Sequence, residues 1–183
     1  AEKITYTVTP EGGTAEEKTA EINDGKAEIT VSADFKGMIS ITCTDKAGNT
    51  SAGVTVGAGL DATGILIENH APQITFQAEH AGLVLPGEYD AVPDIAVTIT
   101  DNKNNVVSSG IASVRYQIGN GSAETVPHDY TTAMTANDSF TISAGEIPEG
   151  ETVISVTATD HAGNSATETF TVKVHTHSAK ESV

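Results

Sequence analysis

One stretch of this chain occurs twice. Ile39-Ser-Ile-Thr-Cys-Thr-Asp45-Lys-Ala-Gly48-Asn49-Thr-Ser51 recurs as Ile154-Ser-Val-Thr-Ala-Thr-Asp160-His-Ala-Gly163-Asn164-Ser-Ala166, with eight of thirteen positions identical and an offset of 115 residues. In each copy apolar residues alternate with Ser and Thr, the period of a half-buried strand, and an Asp-x-Ala-Gly-Asn turn leads into a second alternating run. The pattern predicts a β-hairpin. The offset is too long for a solenoid repeat and suits successive domains of a β-sandwich array. The fold class expected is therefore all-β, as tandem β-sandwiches.

The repeat divides 183 residues into two small domains, expected at 1–66 and 69–175, followed by a tail at 176–183. With four Phe, four Tyr and no Trp, their cores must be built from Ile, Val and Ala. Nine Lys and Arg against 25 Asp and Glu give a net charge of −16, which repels phosphate backbones and argues against a nucleic-acid partner. No apolar run is long enough for a transmembrane helix, so no membrane insertion is expected in this segment. The single cysteine, Cys43, lies in phase with Ile39 and Ile41 and is replaced by Ala158 in the second copy, so it reads as a small core residue.

Taken in order, Ile4 to Val8 is a strand ending at Pro10, Asn23-Asp24-Gly25 is a tight turn, and Ala27 to Ala33 is a further strand before the first repeated hairpin. Residues 57–72 form the boundary, with Ile65 to Ile67 too apolar for a free linker. Aligned backwards from the hairpin, Val114-Arg-Tyr-Gln-Ile118 matches Ile4-Thr-Tyr-Thr-Val8, and Phe140-Thr-Ile142 matches Ile29-Thr-Val31. Nothing in the first copy matches residues 73–110, which supply the opening strands of the second. The first domain is thus expected to lack its amino-terminal strands, these being outside the segment, disordered or donated by another segment.

The Thr-Asp-x-Ala-Gly-Asn hairpin, the run Ser109-Gly-Ile-Ala-Ser-Val-Arg-Tyr-Gln-Ile118 and the boundary Asn69-His-Ala-Pro72 together resemble the bacterial immunoglobulin-like repeats of large surface proteins. The resemblance implies an extracellular or cell-surface setting and neighbouring Ig-like domains of the same chain as partners. It also implies a role as a spacer that projects another module. Two further roles follow from it: an adhesive module binding a host glycan or glycoprotein, and an accessory domain of a secreted glycoside hydrolase. The cysteine pair and core tryptophan of antibody domains are absent.

Candidate sites are sparse. Asp45 and Asp160 stand where a short carboxylate accepts hydrogen bonds from turn N–H groups. Gly48 and Gly163 supply positive φ, and Asn49 and Asn164 tolerate similar conformations, so all six read as structural turn residues. The histidines are scattered, no catalytic motif is present, and no enzyme is expected. No cofactor is required. Calcium is the one metal considered, because relatives use it at domain junctions and Asp61, Glu68, Asp90, Asp94 and Asp101 supply carboxylates at the boundary and in the second domain. Loops 79–92 and 120–138 of the second domain exceed what sheet connection needs, and their Tyr89, His128 and Tyr130 are the candidate ligand-binding residues, able to stack on sugar rings.

Overall fold

The computed structural model describes residues 3–56, 64–78, 87–89, 94–101, 107–130 and 135–175, with the side chains of residues 78 and 87–89 excepted. The chain divides into two compact units, Ala1–Asn69 and His70–Val183. Unit 1 holds β1 (Lys3–Pro10), β2 (Glu16–Glu21), β3 (Phe35–Cys43), β4 (Val54–Val56) and β5 (Ile65–Ile67). Unit 2 holds β6 (Gln73–Ala78), β7 (Gly87–Tyr89), β8 (Ile95–Thr100), β9 (Ile111–Ile118), β10 (Glu124–Thr125), β11 (Asn137–Ile142), β12 (Gly150–Asp160) and β13 (Ser165–Val174).

Unit 2 is an immunoglobulin-like β-sandwich. One sheet has the order β11-β8-β6 and the other β10-β9-β12-β13-β7, all neighbours antiparallel except β7, which runs parallel to β13. The inward residues follow the period of two that each strand requires: Ile95, Val97 and Ile99 on β8, and Ile154, Val156 and Ala158 on β12, every one fully buried. They meet in a single core with Val114, Val172 and Ile142. The two inner faces therefore contribute alternate residues to one layer, as in sandwiches generally.

Among the described residues, unit 1 repeats only one of those sheets. Ile4 pairs with Cys43, Tyr6 with Ile41 and Val8 with Ile39, and in unit 2 Val114 pairs with Ala158, Tyr116 with Val156 and Ile118 with Ile154, so β1 and β3 are the counterparts of β9 and β12 residue for residue. β2 lies outside β1 as β10 lies outside β9. On the opposite edge of β3, β4 pairs with Ile39 to Ile41 and β5 with Phe35 to Gly37. Together they occupy the place of β13. Among the described residues unit 1 has no counterpart of β6 or β8.

That gap accounts for one sequence expectation that fails. Ala27 to Ala33 has the alternation of a strand and matches β11, yet residues 27–33 are not in a strand. The turn before it forms: Asp24 and Gly25 both have positive φ, 49° and 77°, and Asn23 bridges to Lys26. What is missing is a neighbour, since β11 is a strand by pairing with β8, and backbone N–H and C=O groups need a partner strand to adopt the ladder. Ile29 and Val31 instead pack irregularly over Tyr6, Val8, Phe35 and Ile39. An open groove of about 660 Å³, lined by Tyr6, Ala20, Glu21, Lys26 and Thr30, remains between this segment and the sheet.

The core of unit 1 is correspondingly thin, with four buried hydrophobic residues against sixteen in unit 2 among those described. Each fully buried Val, Ile or Phe contributes about 1.5–3 kcal/mol, so unit 2 carries most of the hydrophobic stabilisation. Replacing Ile154, which is fully buried, with Ala is expected to destabilise the chain by about 2–5 kcal/mol in urea unfolding followed by circular dichroism. Val54→Ala, on the 62% exposed position of β4, is expected to stay within about 0.5 kcal/mol of the parent.

Candidate functional site

The repeated hairpin sets the geometry. Beyond its last inward residue, Ala158, β12 presents Asp160 in the same phase, so this carboxylate enters the sandwich and is 2% exposed. Asp160 Oδ1 accepts the Asn164 backbone N–H at 2.8 Å, and Oδ2 accepts the Asn164 side-chain amide at 2.9 Å. Gly163 makes the turn possible at φ 93°: a Cβ there would meet no neighbour, so backbone strain alone requires glycine. The first copy is built on the same plan. Asp45 accepts the backbone N–H groups of Ala47 and Asn49 and the Asn49 side-chain amide, and Gly48 has φ 90°. Next to each turn a hydroxyl pair crosses the strands, Thr44 with Thr50 and Thr159 with Ser165. The environments differ, however. Asp45 is exposed, and its hydrogen bonds from Asn49 hold its pKa below the usual carboxylate range.

Asp101 explains the difference within unit 2. It follows β8 in the phase of Ile95, Val97 and Ile99, and so points inward from the other sheet; it is 6% exposed. Its Oδ2 accepts hydrogen bonds from the Ser108 hydroxyl and the Gly110 N–H, both at 2.7 Å. Its Oδ1 is buried without a hydrogen-bond partner. A carboxylate oxygen of Asp101 lies within 4.8 Å of one of Asp160. Burial pushes the Asp101 pKa up and the Asp160 charge adds to the rise, while Ser108, Gly110 and His161 oppose it. The loop around this pair is fixed by His161 N–H to Gly110 O at 2.9 Å and by Ala162 N–H to Ser109 Oγ at 3.0 Å.

The aromatic candidates are engaged differently. Tyr130 is 5% exposed and belongs to the core of unit 2. Its hydroxyl donates to Asp138 Oδ2, and burial, followed by that hydrogen bond, raises its pKa. His128 stacks on the Tyr130 ring at 4.7 Å and places Nδ1 3.2 Å from Asp138 Oδ1. One carboxylate thus anchors both rings, and Tyr130 offers no open face to a sugar. Tyr89 lies in β7, with its side chain outside the described residues.

Of the acids read as cation ligands, Asp94 and Asp101 flank β8 at opposite ends, roughly 23 Å apart at a strand rise of ~3.3 Å per residue, and cannot share an ion. Asp94 Oδ1 accepts the Ala144 N–H at 2.7 Å, capping the 3-10 turn Ala144–Glu146. Glu68 is buried, with 5% exposure. Asp61 and Asp90 lie outside the described residues. Asp138 is absent from the candidates read from the sequence, although a signal for it existed: in β11 it lies in phase with Phe140 and Ile142, and an acid on a core-facing position needs a partner.

No protein-family model matches the chain, and no curated protein does. Among solved structures, dimeric latent PorU from Porphyromonas gingivalis aligns over 97% of this chain at 13% identity with a TM-score of 0.45. The chain spans only 20% of the length of that protein. The fibronectin(III)-like modules of Clostridium thermocellum CbhA align over 97% of this chain and 83% of theirs, at 16% identity and a TM-score of 0.32. Likenesses this distant carry no functional argument.

Two outcomes follow from the geometry. In metal-free buffer the Asp101 carboxyl, followed by carbon-detected NMR, is expected to titrate above the ordinary value of 3.8. The folded chain then holds this proton more tightly than the unfolded chain. The stability Asp101 contributes is complete below pH 3.8 and is lost as pH rises through its raised midpoint, a loss that Asp101→Asn abolishes. Tyr130→Phe is expected to cost about 1–3 kcal/mol in urea unfolding, because it removes a hydrogen bond from the half-buried Asp138.

Proposed function

We propose that this chain is a non-catalytic segment of tandem immunoglobulin-like domains in an exported bacterial protein, serving as a spacer between other modules. The observation that carries the reading is the use made of polar side chains at the loops of unit 2. Tyr130 is buried on Asp138, His128 is stacked on that ring with Nδ1 against the same carboxylate, Asp94 caps a turn, and Asp101 organises the loop at Ser108 to Gly110. These groups hold strands and loops together instead of converging on an open cleft, where ligands are ordinarily bound. The resemblance of the Thr-Asp-x-Ala-Gly-Asn hairpin to bacterial surface repeats supports export, and a net charge of −16 suits a well-solvated, non-associating segment.

An adhesive module is the reading to be separated from this one. The complete chain is tested by surface plasmon resonance against a panel of host glycans and mucosal glycoproteins. The spacer reading predicts no saturable binding. Saturable binding that is lost in His128→Ala, with the fold intact by circular dichroism, would replace it with the adhesin.

A further inference from the structure

We propose that Asp101 and Asp160 together bind a hard divalent cation, calcium in the first place, within unit 2. Both side chains are more than nine-tenths buried, at 6% and 2% exposure, and each enters from a different sheet. Their carboxylate oxygens approach within 4.8 Å, and Asp101 Oδ1 has no hydrogen-bond partner. Buried charges are ordinarily paired with an opposite charge or coordinated to a metal. Neutral donors meet both carboxylates: the Ser108 hydroxyl and Gly110 N–H on Asp101, and the Asn164 amides on Asp160. His161 lowers the cost of the Asp101 charge only in part, and its Nε2 lies 3.0 Å from the Tyr130 carbonyl. A divalent ion neutralises both carboxylates and occupies the open position at Oδ1.

The spacing admits calcium. Two oxygens that each lie 2.3–2.6 Å from one calcium are at most about 4.6–5.2 Å apart, so a separation of up to 4.8 Å admits a shared calcium without rearrangement. Magnesium demands near-octahedral geometry at 2.0–2.1 Å and dehydrates reluctantly, so a buried protein carboxylate pair suits the more flexible shell of calcium. An all-oxygen donor pair also disfavours zinc and copper, which prefer nitrogen and sulfur. Water completes the shell. The same turn in unit 1 serves as an internal control: Asp45 is exposed, and among the described residues unit 1 has no counterpart of β8 to bring a second carboxylate to it. This inference goes beyond the spacer reading, because it makes the stability of one end of unit 2 depend on the ion through mass action.

The test uses the complete chain freed of metal by chelation. Calcium is titrated calorimetrically, and thermal unfolding is followed up to about 10 mM calcium, well above the affinity range of weak extracellular sites. The proposal predicts saturable binding and a melting temperature that rises with calcium, with a weaker response to magnesium. Asp101→Asn and Asp160→Asn each lower the affinity by at least about tenfold, while Asp45→Asn binds as the parent does. Absence of saturable binding by the parent chain overturns the proposal without recourse to any variant. So does binding that persists unchanged in both Asp101→Asn and Asp160→Asn, or binding that is lost in Asp45→Asn.

Discussion

β8 exchanges backbone hydrogen bonds on both edges, with β6 on one side and β11 on the other, and the second sheet of unit 2 exists only through that double pairing. It also delivers Ile95, Val97 and Ile99 to the core and Asp101 to the end of the sandwich. A strand needs a neighbour before its apolar alternation has any consequence. Where β8 is present the repeat closes into two layers. Unit 1, which has no described counterpart of it, keeps one sheet and an irregular covering segment.

The same dependence separates two identical turns. Asp45 and Asp160 share their motif, their hydrogen bonds to the following Asn and the positive φ of the glycine between, so the local sequence fixes local geometry in both. Burial and electrostatics are set elsewhere, by Asp101 and by Ser109 and Gly110, which hydrogen-bond to Asp101 and to the second turn. Asp45 has a lowered pKa from hydrogen bonding in water, whereas the partner of Asp160, Asp101, has a raised one from burial beside like charge. One motif thereby acts as a plain turn in one unit and as half of a buried acid pair in the other.

The all-β class and the correspondence of β1 and β3 with β9 and β12 were legible in the sequence, because alternation and an offset of 115 residues are properties of the chain itself. Ala27 to Ala33 was not: its alternation states which residues would face inward and is silent on whether a partner strand exists. Asp101 and Asp160 are 59 residues apart, and their approach depends on two sheets facing each other, which no local pattern encodes. Tyr130 was legible as a loop aromatic but not as a buried one, since its hydroxyl is held by Asp138, an inward-phase residue of β11.

Amide hydrogen exchange of the complete chain, resolved to short peptides by mass spectrometry, tests most directly whether the repeat builds one sheet in unit 1 and two in unit 2. The account predicts strong protection across β8, β11 and β12, protection of β1 and β3, and near-unprotected exchange from Ala27 to Ala33. Protection of residues 27–33 equal to that of β11 would show that this segment has found a strand partner, and would contradict the single-sheet description of unit 1.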